Sequence, residues 1–323
     1  MAHSDRQPAR WVLPAELGGA TLAAAVRALQ AGTSWSEARE LCRRGRVTVD
    51  GRVVTDPALR LAGGQEIGLA DAPAPPQGPP SHGVAIVQAD RALVVVDKPP
   101  GVLTAAPGDN RQTLLGLARA ALRRRERSRG FPVLHVVHRL DAEASGLVAF
   151  ARTVAAQREL QQQFRARTIR RTYLALAHGA LSEATFDTLL LRDRGDGLRG
   201  SRNAATRARG NPPATARRAI TRVEPVEPLA GATLVRCRLA TGRQHQIRIH
   251  LAEAGHPLLG ERVYIRDFQG PFLAAPRLML HAAELRFRHP ATGKPVRFAA
   301  GLPPDFARLL AELALPDAGM PTA

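Results

Sequence analysis

Cysteine is nearly absent from this chain: Cys42 and Cys237 are the only two in 323 residues. Two are too few for a disulfide framework, and their positions match no metal-ligand spacing. Lysine is equally scarce, since all but two (Lys98 and Lys294) of the 46 basic residues are Arg. Aromatic residues make up 4% of the chain. That is too few for the broad stacking platforms that hold single-stranded nucleic acid without sequence preference. No apolar run approaches membrane-spanning length and no secretory hydrophobic segment opens the chain, so a cytoplasmic protein without membrane contact is expected. A Gly-rich phosphate loop, a dinucleotide fingerprint and a zinc motif are all missing. Acid is short as well, with 28 Asp and Glu and a formal net charge of +18.

What is present follows from that imbalance. Preference for Arg over Lys, together with abundant Ala, Gly and Pro, reads in part as genomic base composition. That bias does not explain the excess of bases over acids, which suits a polyanionic partner, nucleic acid first. The chain divides at the Pro-rich segment 72–83, a stiff linker. The expected layout is a tail (1–14), a small unit (15–71), the linker, a large domain (84–310) and a second tail (311–323).

In the small unit, 21–31 is helical in period, and Ser34-Trp35-Ser36-Glu37 has the form of a capping box opening a second helix. That helix ends at Arg43-Arg44 with Gly45 beyond. Two alternating runs about Asp50-Gly51 then read as a hairpin. Ser36, Ala38-Arg39, Gly45, Val47, Val49 and Gly51 resemble the S4 RNA-binding domain. Cys42-Arg43 and Asp50 depart from its usual residues without disturbing the fold logic. Arg39, Arg43, Arg44 and Arg46 would ordinarily read as a solvated charged face, but four Arg on one helix end and its turn, in a strongly basic chain, favour contact with RNA phosphates.

In the large domain, 133–137 and 147–150 read as short buried strands, and between them stands His138-Arg139-Leu140-Asp141, followed by Ser145-Gly146. A lone carboxylate in such a loop is ordinarily a residue that satisfies its own backbone. Here it sits beside two residues that can be cationic. Strands are expected at 93–96, 173–177, 233–239 and 246–251, helices at 113–125 and 154–167, and a long basic loop at 191–218. His245 and His250 could suggest a metal, but their odd spacing in a strand sends them to opposite faces, so no metal is expected.

Six segments carry a second resemblance: Lys98-Pro-Pro-Gly101, His138 to Leu147, Arg171-Thr-Tyr173, Thr241 to Leu251, Gly255 to Tyr264, and Leu280 to Gly293. In order and interval they resemble the RluA-type pseudouridine synthases, in the RluC/RluD-like branch that carries an S4 domain in front. The resemblance covers about residues 84–306. It implies an α+β protein: a mixed, mainly antiparallel sheet in the catalytic domain, preceded by a small α/β S4-like domain. It also implies an isomerase that turns uridine in RNA into pseudouridine without a cofactor. Asp141 is then the catalytic carboxylate, Arg248 its buried partner and Tyr173 the ring against the flipped uracil. Arg139, His138, Arg243, His245 and Lys98 become substrate or RNA contacts, although a surface ion pair suits Arg139 equally and a structural role is the preferred reading of Lys98-Pro99. Ala144 stands where the family usually has Thr, and Arg171 where it usually has Lys.

Ribosomal RNA is the expected partner and a monomer the expected state, with transfer RNA as the alternative target. A non-catalytic RNA-binding or ribosome-assembly factor is the second reading. A glycosidic hydrolase is the third; it needs two facing acids, and only Glu143 is near.

Overall fold

A computed structural model describes residues 9–43, 45–54, 57–70, 84–106, 112–194, 198–201, 214–266 and 268–315. The linker segment 72–83 and Arg44 lie outside them, as do parts of the basic stretch at 195–197 and 202–213. The chain forms two compact units, the first within residues 1–81 and the second from residue 82 onward apart from residues 195–198.

The first unit packs helices α1 (Leu22–Leu29) and α2 (Trp35–Arg43) on a four-stranded sheet of β1 (Ala9–Val12), β2 (Val47–Val49), β3 (Arg52–Val53) and β4 (Glu66–Leu69). The capping box forms reciprocally: Ser34 N–H donates to Glu37 Oε2 at 2.8 Å, and Glu37 N–H donates to Ser34 Oγ at 3.2 Å. One expectation is corrected. Residues 9–12 are not tail but an edge strand, pairing with β4 from Ala9↔Leu69 to Val12↔Glu66. Their exposed side chains hide this from any burial pattern.

The second unit is built on a mixed sheet. Its strands are β5 (Ala85–Ala89), β6 (Leu93–Lys98), β7 (His135–Val136), β8 (Ser145–Ala151), β9 (Arg170–His178), β10 (Ala184–Leu191), β11 (Gly200–Ser201), β12 (Arg217–Leu229), β13 (Ala232–Leu239), β14 (Leu280–Arg288) and β15 (Pro295–Ala299). The main path runs β11-β10-β12-β13-β9-β14-β8-β6-β5. Every pair in it is antiparallel except β14 with β8. The mixed, mainly antiparallel sheet of an α+β fold is therefore what the chain adopts.

Strand alternation decides which helix covers which face. Val94, Val96, Val148 and Phe150 face helix α3 (Leu114–Glu126) through Leu114, Ala118 and Leu122. Leu93, Val95, Leu147, Ala149 and Ala151 face helix α4 (Val154–Ala166) through Ala156 and Leu160. All seven residues of β8 are buried, as a strand covered on both faces requires. The loop that carries Asp141 leads directly into this strand.

Two further expectations are corrected. Part of the stretch 191–218 is sheet, because β11 pairs with β10 and β12 begins at Arg217. Residues 246–251 form not a strand but part of helix α5 (Gln246–Glu253). Their alternation of Ile with Arg and His mimics a strand. In the fold every residue from Gln246 to Leu251 is buried, so the helix has no polar face for a 3.6-residue period to reveal. Helix α6 (Pro304–Leu313) closes the unit.

Gly146 is the tightest point of the β8–β14 junction. Its φ is +110°, and a Cβ there would stand 2.4 Å from the Ala282 carbonyl oxygen. Gly146→Ala is expected to lower the unfolding free energy by more than about 2 kcal/mol, from backbone strain and a clash that only backbone movement relieves. Urea denaturation of the full chain checks this.

Candidate active site

The loop from Arg139 to Ala144 is held from below by backbone-directed bonds. Lys98, 1% exposed at the end of β6, donates from Nζ to the carbonyls of Pro99 (2.9 Å), Ala142 (2.7 Å) and Ala144 (2.7 Å). Gly101 N–H donates to the Ala142 carbonyl at 2.8 Å. Thr104 Oγ1 donates to the Leu140 carbonyl at 3.0 Å and accepts from Leu140 N–H at 3.1 Å. Burial pulls the Lys98 ammonium down to about 7, with Arg277 adding to the effect and Asp141, Glu143 and Asp97 opposing it. Lys98 is thus a pillar of the loop, as the structural reading of Lys98-Pro99 expects, and the secondary expectation that it touches RNA is corrected by its burial.

His138 belongs to the same foundation. Its Nε2 accepts the Ala149 N–H at 3.0 Å, and its ring packs 5.0 Å from that of Phe164. Burial first, and Arg171 second, push its pKa down to about 3, so the ring stays neutral as an acceptor must. It anchors the loop from beneath. Arg139, by contrast, is exposed on the loop.

Above this foundation stands Asp141, with 21% of its side chain exposed. Arg248 Nη1 lies 3.9 Å from Oδ2, and His245 Nε2 lies 4.0 Å from Oδ1. Among the described residues neither oxygen accepts a hydrogen bond, so both remain available to a ligand. Arg248 Nη2 also comes within 3.8 Å of Glu143 Oε2.

Arg248 itself is locked from behind. It forks onto Glu261, with Nε donating to Oε2 and Nη2 to Oε1, each at 2.7 Å. Glu261 Oε1 in turn accepts the backbone N–H groups of Arg262, Val263 and Tyr264 at 3.0, 2.8 and 3.2 Å. Burial alone would raise the Glu261 carboxyl; Arg248 and these N–H groups outweigh it and hold it at about 2. Burial likewise opposes the Arg248 charge, and Glu261, Asp141 and Glu143 overcome it, leaving its pKa well above the ordinary value. Glu261 is the site residue that sequence reasoning missed. An acid beside Leu258-Leu259-Gly260 is the only local signal, and nothing local names its partner.

Tyr173 lies on β9 between Cys237 of β13 and Ala282 of β14. It is 6% exposed and shares a cluster with Ala144, Ile247 and Leu251, with Leu140 packed against it. Its hydroxyl is pushed up, chiefly by burial, and it senses the Asp141 charge. Core residue and wall of the Asp141 site are here one and the same. The expected separation of His245 and His250 holds on a helix rather than a strand. His250 bonds Thr221 Oγ1 (2.8 Å) and Thr188 Oγ1 (2.9 Å), whereas His245 Nδ1 meets the Tyr264 hydroxyl at 2.8 Å. Among the described residues, no group of three or more His, Cys, Asp or Glu is arranged to hold a metal ion.

Beside His245 opens a cleft of about 280 Å³ lined by Arg192, Arg199, Arg217, Arg243 and Gln244. Arg243 donates from Nε to the Arg218 carbonyl at 3.1 Å. Its pKa is lowered by burial and then by repulsion from Arg167 and Arg217, as cations concentrated on one wall require. In the first unit, the Arg27 and Arg39 guanidinium carbons lie 5.0 and 5.5 Å from the centre of the Trp35 ring. The Arg43 side chain and all of Arg44 lie outside the described residues. No helix among the described residues is long and apolar enough to cross a membrane.

Breaking the Arg248–Glu261 fork leaves a buried charge without its partner. Glu261→Gln is expected to cost about 3–5 kcal/mol of unfolding free energy at neutral pH. The sign with pH follows from a folded pKa near 2 against an ordinary 4.5. The carboxylate's stabilisation is complete above pH 4.5 and is lost as pH falls towards 2. The gap between wild type and variant should therefore narrow in acid, which chemical denaturation across pH checks.

The chain's likenesses agree with this geometry. Residues 92–253 match the RNA pseudouridylate synthase family, and residues 22–67 match the S4 domain. The chain is 33% identical to "Ribosomal large subunit pseudouridine synthase D" of Neisseria meningitidis serogroup A, over 95% of this chain and 82% of that protein. It is also 33% identical to the protein of that name from Pseudomonas aeruginosa, over 93% and 94% of the two chains. Among solved structures, "Human RNA Pseudouridylate Synthase Domain Containing 4" superposes with a TM-score of 0.57 at 22% identity. That likeness covers 72% of this chain and 95% of that one, and it bears on the fold. Six motifs in register, a carboxylate loop set before a buried Arg, and relatives matched over four fifths or more of their length lead to one conclusion: the chain belongs to the RNA pseudouridylate synthase family and carries an S4 domain ahead of the synthase domain.

Proposed function

We propose that this RNA pseudouridine synthase isomerises uridines of large-subunit ribosomal RNA, with Asp141 as the catalytic carboxylate. One observation carries the choice of residue. Asp141 has a cation or imidazole facing each oxygen, at 3.9 and 4.0 Å, while both oxygens stay open to a ligand. The names of the relatives support the ribosomal target. The reaction breaks N1–C1′, turns the uracil and joins C5 to C1′; the proton on C5 leaves to solvent and N1 takes one up. The product is thus an isomer of the substrate, and the reading calls for no metal or cofactor. It carries with it a cytoplasmic monomer.

The target base has to leave its stack to reach a carboxylate in a loop between walls. Tyr173, under Leu140 and beside Ala144, offers apolar surface to replace what the base loses. Arg248 holds the carboxylate's direction without covering it. Arg139, exposed next to Asp141, is suited to the vacated stack or to the neighbouring phosphate. The Arg-lined cleft suits backbone phosphates on one side of the target, and Arg39 and Arg43 suit phosphates at the S4 domain.

Asp141→Asn is expected to abolish tritium release from RNA containing 5-tritiated uridine while RNA binding persists; retained release sinks the assignment. Replacing Arg192 and Arg217 together with Ala is expected to weaken RNA binding. It should also flatten the salt dependence of log K by about 0.7–0.9 for each phosphate the protein no longer neutralises. A Lys294→Ala control, altering an exposed cation of the β14–β15 turn, should leave that slope unchanged. Pseudouridine maps of wild-type and deletion strains decide between ribosomal and transfer RNA, and an unchanged map favours a non-catalytic RNA-binding factor.

A further inference from the structure

Among the described residues near Asp141, His245 is the non-glycine residue with a left-handed backbone. It stands just before α5 with φ +58° and ψ +20°, the left-handed region, which a residue with a Cβ occupies only when its surroundings enforce it. What this conformation achieves is visible at the ring. Nδ1 meets the Tyr264 hydroxyl at 2.8 Å, and Nε2 is carried to 4.0 Å from Asp141 Oδ1. The two rings stand edge to face, with centroids 5.7 Å apart and 75° between planes. Tyr264 is fixed too. Its backbone N–H donates to Glu261, and its ring lies under the Arg248 guanidinium, 5.5 Å from ring centre to Cζ.

The four-residue turn from Glu261 to Tyr264 therefore restrains both basic neighbours of Asp141, Arg248 through Glu261 and His245 through Tyr264. The chemistry of the imidazole then follows. A neutral ring carries one N–H and one lone pair. A lone pair at Nε2 would face the Asp141 carboxylate and repel it, whereas an N–H there attracts it. With the proton on Nε2, Nδ1 is an acceptor, and the Tyr264 hydroxyl is the donor that satisfies it. The 4.0 Å separation is bridged by a closure of about 1 Å in the complex or by one water.

We propose that His245 is a positioning residue for the reaction, held by the Tyr264 hydroxyl as the tautomer whose Nε2–H faces Asp141. Arg248 then restrains Oδ2 and His245 restrains Oδ1, so the carboxylate is aimed from two sides. This rests on Asp141 being the catalytic carboxylate, and it moves His245 from an RNA contact to a group that acts through Asp141.

The test uses the full chain and three variants. Gln at 245 can present an amide N–H where Nε2 stood. Asn presents one only where Nδ1 stood, although it tolerates left-handed backbone better. A purely structural role thus ranks H245N above H245Q, and the proposal ranks them the other way. In single-turnover assays on a ribosomal RNA transcript, H245Q should stay within about threefold of wild type, while H245N and Tyr264→Phe lose on the order of tenfold or more in rate. RNA affinity should stay unchanged in all three. In ¹⁵N-histidine spectra, the resonance missing from H245Q should show the Nε2–H tautomer in wild type and a mixture in Tyr264→Phe. The proposal is overturned if H245N equals or exceeds H245Q, if Tyr264→Phe leaves rate and tautomer unchanged, or if the loss is one of RNA affinity. An inactive wild-type protein would refute the functional reading instead, while the tautomer measurement would still stand.

Discussion

A guanidinium taken out of water has to find anionic oxygen at hydrogen-bonding distance, or its burial costs several kcal/mol. Arg248 meets that demand with a bidentate fork to Glu261, whose own oxygen is filled by three consecutive backbone N–H groups. Because the fork uses Nε and Nη2, Nη1 is left towards Asp141. The orientation of the site thus follows from a hydrogen-bond inventory. The same inventory lets α5 be buried on every side. Gln246 accepts from Thr241 and Arg243 N–H and donates to Ile220 and Thr221, while His250 is bound by Thr188 and Thr221. With these polar side chains satisfied, Ile247 and Leu251 can pack on the sheet beside Tyr173.

The loop carrying Asp141 is fixed by a second device, made of backbone carbonyls rather than charges in the site. Lys98 gathers three of them, and Thr104 clamps Leu140 through both its carbonyl and its amide. Ser145 Oγ meets His281 Nδ1 at 3.0 Å, tying the start of β8 to β14 at the chain's only described parallel pairing. The Ala144 methyl is buried in the core beside Tyr173 and Leu140. Rigidity below and openness above are what a loop needs if one of its side chains is to meet a ligand in a set geometry.

The sequence exposed the loop readily, because dense apolar runs bracket it and such runs are visible without tertiary information. The helices at 113–125 and 154–167 were legible for a similar reason. Each opens on a Thr that caps it, Thr113 and Thr153, and each closes on a left-handed Arg, Arg127 and Arg167. Helix α5 was not legible. Its alternation of Ile with Arg and His follows from burial on all sides, and a fully buried helix presents no amphipathic signal. Strand β1 was missed for the opposite reason, being an edge strand with mostly exposed side chains.

Residue identity alone determined that the chain carries excess positive charge, holds Asp141 in a loop between apolar runs, and repeats a family's motifs in order. These are properties of composition and local spacing, and they survive in an unfolded chain. Only the tertiary structure decided what each charged group does. Lys98 became a buried pillar, His138 an acceptor beneath the loop, Glu261 the anchor of Arg248, and Tyr264 the neighbour of His245. Each assignment depends on a partner distant in sequence or on burial, and desolvation is a property of the fold. The carboxylate could be found from the sequence; the groups that aim it could be found only in three dimensions.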